Sequence, residues 1–214
     1  TYSSPITGEV GGKKFYFALF QQGIAAVTPD GAVALHYKRP AEFGDVVIPT
    51  PIIANDHIHL TVAGEEKKGC VCAKLTVSGN TLKAEEVYNS KVISNYIGGT
   101  VKVGDHVYGY SQPRSWVCQE FKTGKVLWEE EKAAKQGSII SAEGMLYLYD
   151  ETNGNCLLVE ATSKEFNEKG RLTIPERSKI GLPSGRIWTP PVVANGMLFL
   201  RDQDLLFCYD IKGK

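Results

Sequence analysis

Two pairs of residues have the types and the spacing of part of a metal or redox site. His57 and His59 lie two positions apart, as do Cys70 and Cys72. On a β-strand, residues at this spacing point to the same face, so both members of a pair would stand beside one ligand. A zinc site needs a third and a fourth ligand, and no neighbouring Cys or Glu has the required spacing. We therefore interpret both pairs as packing positions and predict no metal site.

The cysteines favour packing as well. There are five, so at least one has no disulfide partner within the chain. Two parallel thiols on one strand face, such as Cys70 and Cys72, are poorly placed to bond each other. Cys72, Cys118 and Cys208 fall at the same place in three similar hairpins. They are predicted to be small buried residues.

A better candidate for a site lies in the loops. Arginine, tyrosine and tryptophan dominate the binding energy of protein interfaces, and several predicted loops contain them. The candidate ligand- or partner-binding residues are Tyr110, Gln112, Arg114, Arg186, Trp188, Arg201, Asp202 and Asp204. The alternative is that Arg201 simply pairs with Asp202 or Asp204 across its loop. No Ser-His-Asp set, phosphate loop or pair of catalytic carboxylates stands out, so no catalytic residue is predicted.

Repeated hairpins must position these residues. The clearest is Trp116–Trp128, in which Gly124 supplies the positive φ of the tight turn. Four similar hairpins occur elsewhere in the chain. Each is preceded by a short apolar strand, a turn such as Asn-Asp or Asn-Gly, and a strand in which aromatic residues alternate with other residues. Gapless copies of this preceding element begin at residues 51, 100, 139 and 191. Units of four strands at about 40–50 residues are typical of propeller blades.

The sequence therefore predicts an all-β propeller of about five four-stranded antiparallel repeats. The predicted blades span residues 3–38, 48–88, 97–130, 137–174 and 188–214, the last incomplete. Either the chain is the C-terminal arc of a larger propeller, which we favour, or it is a five-bladed ring with imperfect closure. An arc would leave apolar faces and strand edges to be covered by the remaining blades or by a second copy of the chain.

Composition argues against two classes of protein, those that bind nucleic acid and those that span a membrane with helices. The 24 basic and 24 acidic residues cancel, which does not suggest a nucleic-acid-binding surface. No apolar run approaches the roughly 20 residues of a transmembrane segment. The run 129–135 contains good helix formers but no apolar stripe, so it is predicted to be an exposed strand end or joint.

The hairpin 116–128 resembles the repeat of the pyrroloquinoline-quinone-like (PQQ-like) propeller family, whose frame reads Ala-x-Asp-x-x-Thr-Gly-x-x-x-Trp. The matching residues are Cys118, Glu120, Thr123, Gly124 and Trp128, with Cys in place of Ala and Glu in place of Asp. In this family the motif is structural: the indole packs between blades and the other groups close the turn. The other hairpins of the chain depart from the frame.

The resemblance implies two classes of function. The family includes quinone-dependent dehydrogenases and non-catalytic members, such as a periplasmic scaffold lipoprotein. We expect a non-enzymatic, extracytoplasmic (periplasmic or secreted) binding or scaffold module that needs no cofactor and takes a protein or small polar ligand on its loop face. The alternatives are the C-terminal part of a dehydrogenase that uses PQQ with calcium and has its catalytic blades upstream, or a sugar-binding propeller.

Overall fold

The computed structural model of the chain describes residues 2–38, 47–63, 69–113, 115–180 and 185–212. All regular elements in these ranges are β-strands, and they form five antiparallel sheets. None of the described segments forms a helix capable of crossing a membrane. Arg114, one of the predicted site residues, lies outside the described residues.

Four sheets have four strands and the fifth has three, each in simple up-and-down order. Sheet 1 contains β1 (Ile6–Val10), β2 (Lys13–Phe20), β3 (Gly23–Val27) and β4 (Val33–Lys38). Sheet 2 contains β5 (Ile52–Ala54), β6 (His57–Val62), β7 (Gly69–Ser78) and β8 (Thr81–Ser90). Sheet 3 contains β9 (Thr100–Val103), β10 (His106–Ser111), β11 (Ser115–Glu120) and β12 (Val126–Glu130).

The last two sheets follow the same order. Sheet 4 contains β13 (Gly137–Ala142), β14 (Met145–Asp150), β15 (Asn155–Glu160) and β16 (Asn167–Thr173). Sheet 5 contains β17 (Val192–Ala194), β18 (Met197–Asp202) and β19 (Leu205–Asp210). The run 129–135 is the end of β12 and the joint that follows it, as its lack of an apolar stripe predicts.

A β-bulge recurs at one position of the repeat. The third and fourth strands of sheets 1 to 4 shift register after Ala26, Cys72, Cys118 and Leu158. A bulge bends the strand and increases its twist, so the four sheets share one local distortion. The alignment of Cys72 with Cys118 inferred from the sequence is therefore a true structural equivalence, and Ala26 occupies the same position in sheet 1.

The hydrophobic core is divided among the spaces between consecutive sheets. One buried cluster joins sheets 1 and 2, a second joins sheets 2 and 3, a third joins sheets 3 and 4, and a fourth joins sheets 4 and 5. The first strands β1, β5, β9 and β13 also contact one another in turn. Each sheet thus depends on its neighbour to bury its apolar face.

One prediction about the core is wrong. Cys72 and Cys118 are fully buried, as expected, but Cys208 is exposed. Cys72 faces sheet 3 and Cys118 faces sheet 4, whereas Cys208 lies on the last described strand, and no described sheet covers that face. Burial at this position is a property of the neighbouring sheet and not of the strand itself.

Candidate functional site

Two kinds of loop meet on one face of the molecule, which we call the loop face. They are the joints between consecutive sheets and the loops between the second and third strands of each sheet. In an up-and-down antiparallel sheet of four strands, both kinds of loop lie at the same end of the strands. The seven predicted site residues that the structure describes all lie at this face or at strand ends that reach it.

Hydrogen bonds attach the joint before sheet 3 to both neighbouring sheets. The Thr61 hydroxyl, at the end of β6, accepts the Asn95 backbone N–H at 3.1 Å. The Asn95 side-chain amide in turn donates to the Tyr110 carbonyl at 3.0 Å. The buried Tyr110 ring packs edge-on against Trp116, and its hydroxyl donates to the Pro113 carbonyl at 3.2 Å. Tyr110 therefore supports its loop from below and does not present its ring to solvent.

The hydrogen bonds of the loop face continue to the joint before sheet 5. Gln112 donates from Nε2 to Gln136 Oε1 at 3.1 Å, and the Gln136 carbonyl accepts the backbone N–H of Glu151 at 3.0 Å. Glu151 Oε1 pairs with Arg186 Nη1 at 2.9 Å, and its carbonyl accepts the Ile187 N–H at 2.8 Å. Gln112 and Arg186 are therefore tied into the joints of the loop face.

Glu151 is the centre of this network and was not selected from the sequence. Its side chain is almost fully buried. Burial raises the pKa of Glu151 above the ordinary value of 4.5, while the Arg186 guanidinium opposes the rise. The structure thus places Arg186 on a buried carboxyl group.

Asp202 also has a structural role in the loop face. Its buried carboxylate accepts hydrogen bonds from Arg177 Nε at 2.7 Å and from the Ser178 backbone N–H at 3.0 Å. Arg177 further donates to the carbonyls of Thr152 and Gly185. One arginine of the joint between sheets 4 and 5 therefore holds loops from both sheets.

Arg201 behaves differently from the pairing considered in the sequence. Its Nε donates to the Gln203 carbonyl at 2.7 Å, while Asp204 accepts a hydrogen bond from the Ser178 hydroxyl. Arg201 and Asp202 are consecutive on β18, so their side chains point to opposite faces of the sheet. This alternation explains why Asp202 reaches Arg177 under the joint and Arg201 remains exposed.

The loop face surrounds a cavity of about 740 Å³, which we call the central cavity. Its wall contains three aromatic residues, two prolines and a diglycine, namely Tyr2, Tyr96, Trp188, Pro49, Pro190 and Gly98–Gly99. The described residues that line it carry no charged side chain. Trp188 is 47% exposed and Tyr2 is 75% exposed, so both rings are available to a ligand.

The wall of the central cavity follows the repeat, although the sequence reasoning selected only Trp188. Tyr2, Ile48, Tyr96 and Trp188 each lie four residues before the first strand of their sheet. Because each of these residues precedes the first strand of its sheet by the same number of positions, they occupy equivalent places in their joints. The signal in the sequence is the equal spacing of these joint residues from the first strands, which charged and aromatic composition alone does not reveal.

Of the paired histidines and cysteines, His59, Cys70 and Cys72 are buried between sheets, and His57 is partly buried. His59 is fully buried beside the Tyr88 and Phe121 rings, and neither of its ring nitrogens has a hydrogen-bond partner among the described residues. Burial lowers the pKa of His59 to about 4 and raises the pKa of Cys72 to about 12. A neutral imidazole and a protonated thiol without solvent access behave as packing groups.

The residues of the hairpin frame fall into two groups. Thr123 donates to the Glu120 carboxylate and accepts the Lys125 N–H at 3.2 Å, and Gly124 has a φ of 73°. These contacts close the turn. Trp128 instead reaches sheet 4, where its Nε1 donates to the Thr162 carbonyl at 2.8 Å.

No protein-family model and no curated protein sequence matches this chain. Among solved structures it is similar to BamB from Moraxella catarrhalis, with a TM-score of 0.65 and 14% identity over 96% of this chain. The chain has a β-propeller fold. Similarity to apo AztD from Citrobacter koseri is weaker, with a TM-score of 0.38 and 10% identity over 79% of this chain and 46% of that one.

The propeller fold accounts for the repeated sheets and for the hydrophobic cores between consecutive sheets. The chain spans 57% of the length of the BamB chain that it matches. At 14% identity the similarity establishes the fold and not the activity.

Proposed function

We propose that this propeller is a non-enzymatic binding or scaffold module of the PQQ-like repeat class that works outside the cytoplasm. One observation carries the proposal: the charged groups Glu151, Arg177 and Asp202 hold the loops together, and the open central cavity is lined by uncharged residues. Because these charged groups already have structural partners, the loop face is better suited to holding a partner than to catalysing a reaction. The resemblance of the hairpin frame and the propeller fold support the class, and the resemblance alone suggests the compartment.

The uncharged wall of the central cavity argues against the cofactor of the dehydrogenase alternative. Calcium takes six to eight oxygen ligands, including carboxylates, and the quinone itself carries three carboxylates that need cationic partners. The described wall of the central cavity offers neither anionic nor cationic side chains. We therefore propose that the module acts without PQQ and calcium.

The proposed partner is a protein or a small ligand at the loop face. A second association involves the free face of sheet 5, which we propose is covered by further propeller blades or by another copy of the chain. The balanced charge of the chain does not favour nucleic acid as a partner.

A quinone titration tests the non-enzymatic part of this proposal. The purified chain and the intact gene product would be mixed with PQQ and calcium, and followed by quinone absorbance, thermal shift and dye-linked alcohol oxidation. We expect no stoichiometric binding and no oxidation. Saturable binding at one quinone per chain with turnover of an alcohol would contradict the proposal. Fractionation of cells that express the intact gene product tests the compartment.

A further inference from the structure

We propose that the central cavity binds a proline-rich segment of a partner protein in an extended conformation. This inference rests on the proposed binding function and specifies its ligand. It starts from the composition of the wall, where Tyr2, Tyr96 and Trp188 stand with Pro49 and Pro190 around one cavity.

Aromatic walls of this kind suit proline. A prolyl ring presents a flat apolar surface that packs on tyrosine and tryptophan faces, and its amide carbonyl accepts a hydrogen bond from a tyrosine hydroxyl. Proline-rich segments also populate the polyproline II conformation before they bind, so less entropy is lost on docking. The cavity volume of about 740 Å³ is within the range of ligand-binding pockets.

The absence of charged side chains from the described wall favours uncharged ligands. An anionic or cationic ligand would lose hydration without gaining a counter-charge, because the described lining residues are uncharged. A sugar presents several hydroxyl groups, whereas the polar side-chain groups of the described wall are the hydroxyls of Thr50, Thr100 and the two tyrosines and the indole N–H of Trp188. The complement of this wall is therefore an uncharged, largely apolar peptide.

Trp188 is positioned before any ligand arrives. Its neighbour Ile187 is buried and donates its N–H to the Glu151 carbonyl at 2.8 Å. Arg186, on the other side of Ile187, pairs with the Glu151 carboxylate at 2.9 Å. Because the two residues directly before Trp188 are both held by Glu151 of sheet 4, the chain is anchored at the point where it presents the half-exposed indole to the cavity. Preorganisation of this kind improves affinity by reducing the ordering cost.

Tryptophan fluorescence provides a direct probe. The chain has three tryptophans; Trp116 is buried, Trp128 is partly buried between sheets, and Trp188 lies at the cavity. A proline-rich peptide of about ten residues would be titrated against a peptide in which glutamates replace alternate prolines. We expect a saturable change in emission with the first peptide and at least tenfold weaker binding of the second.

A matched pair of variants tests the location. Gly99 lines the cavity with a φ of +73°, and a Cβ built there meets nothing within 4 Å. Asn and Asp tolerate this backbone region better than other side chains do, so Gly99→Asn and Gly99→Asp differ mainly in charge. We expect Gly99→Asp to bind the peptide about tenfold more weakly than Gly99→Asn. Trp188→Ala should lose about tenfold in affinity and Trp188→Phe less, as measured by calorimetry, with thermal melts to verify folding.

The outcomes separate this inference from the proposed function. No saturable binding of the proline-rich peptide, or equal affinities of Gly99→Asp, Gly99→Asn and the parent protein, would overturn it. Binding of a neutral oligosaccharide that Trp188→Ala abolishes, without peptide binding, would overturn the ligand class and leave a binding function intact. Stoichiometric quinone binding with alcohol oxidation would overturn both.

Discussion

At the scale of single residues, surroundings decide what one residue type does. Trp116 and Trp128 donate their indole N–H groups to the carbonyls of Lys135 and Thr162, so they connect sheet 3 to the following joint and sheet. Trp188 has the same chemistry but stands half exposed at the central cavity. Its place in a joint rather than in a hairpin makes the difference.

Glu151 provides a pH test of the loop face. Because burial raises its pKa in the folded protein, folding favours the protonated form. Its contribution to stability is therefore full below the ordinary pKa of 4.5 and is lost as the pH rises through the raised pKa. We expect the stability of the parent protein relative to Glu151→Gln to decrease as the pH rises above the ordinary pKa of 4.5, as measured by urea unfolding.

Glu168→Gln is the control for this experiment. A hydrogen bond from Arg171 lowers the pKa of Glu168, so its contribution is present at neutral pH and is lost as the pH falls. The two variants should differ from the parent protein with opposite slopes against pH. A slope of the same sign for both would show that the burial of Glu151 does not govern its titration.

At the scale of elements, the tight turns also serve as contacts between sheets. Gly124 lies in the turn between β11 and β12, and the ring of Tyr88 in β8 lies directly against it. The Tyr88 hydroxyl donates to the Phe121 carbonyl at 3.1 Å near the same turn. The turn of sheet 3 is therefore part of the interface with sheet 2.

Alanine at Gly124 should destabilise the protein in two ways. The positive φ is unfavourable for alanine, and its Cβ would meet Tyr88 Cδ2 at 2.8 Å. Gly144→Ala is the control, because Gly144 has a similar φ of +75° and no neighbour within 4 Å of its Cβ. We expect Gly144→Ala to cost about 1 kcal/mol and Gly124→Ala about 2–4 kcal/mol in unfolding free energy. Equal losses in thermal or urea unfolding would show that the contact with Tyr88 adds nothing.

At the scale of the whole molecule, the outer face of sheet 5 is distinctive. The face of sheet 5 that corresponds to the covered faces of sheets 1 to 4 presents Val192, Leu206 and Cys208, with Leu206 65% exposed. In sheets 2 and 3 the residues equivalent to Cys208 are fully buried by the following sheet. This face has the composition of an interface between blades, which agrees with the proposal that another sheet covers it.

Thiol labelling measures that coverage. Cys208 is exposed, whereas the other four cysteines are buried, and burial raises the pKa of Cys118 to about 11 and of Cys156 to about 12. We expect one thiol of the folded chain to react quickly with iodoacetamide, and all five to react in denaturant. If further blades or a second copy cover sheet 5, Cys208 should be protected in the intact gene product or at high protein concentration. Rapid labelling of Cys208 under all of these conditions would contradict a covered face.

The sequence alone determined the periodic features of this protein. Alternating apolar strands, turns such as Asn55-Asp56 and Asn195-Gly196, and the hairpin around Gly124 predict four-stranded repeats, because strand period and turn chemistry are local properties. The all-β propeller was therefore predictable, as was the burial of Cys72 and Cys118.

Only the tertiary structure decided which residues meet. Tyr2, Tyr96 and Trp188 are far apart in the chain and share one cavity because the segments that precede their sheets meet there. Burial of Tyr110 and exposure of Cys208 likewise depend on the elements packed beside them. In a propeller each sheet is covered by the neighbouring sheets. The alternation of residues along a strand therefore predicts which side chains share a face, but not which residues of a neighbouring sheet pack against that face.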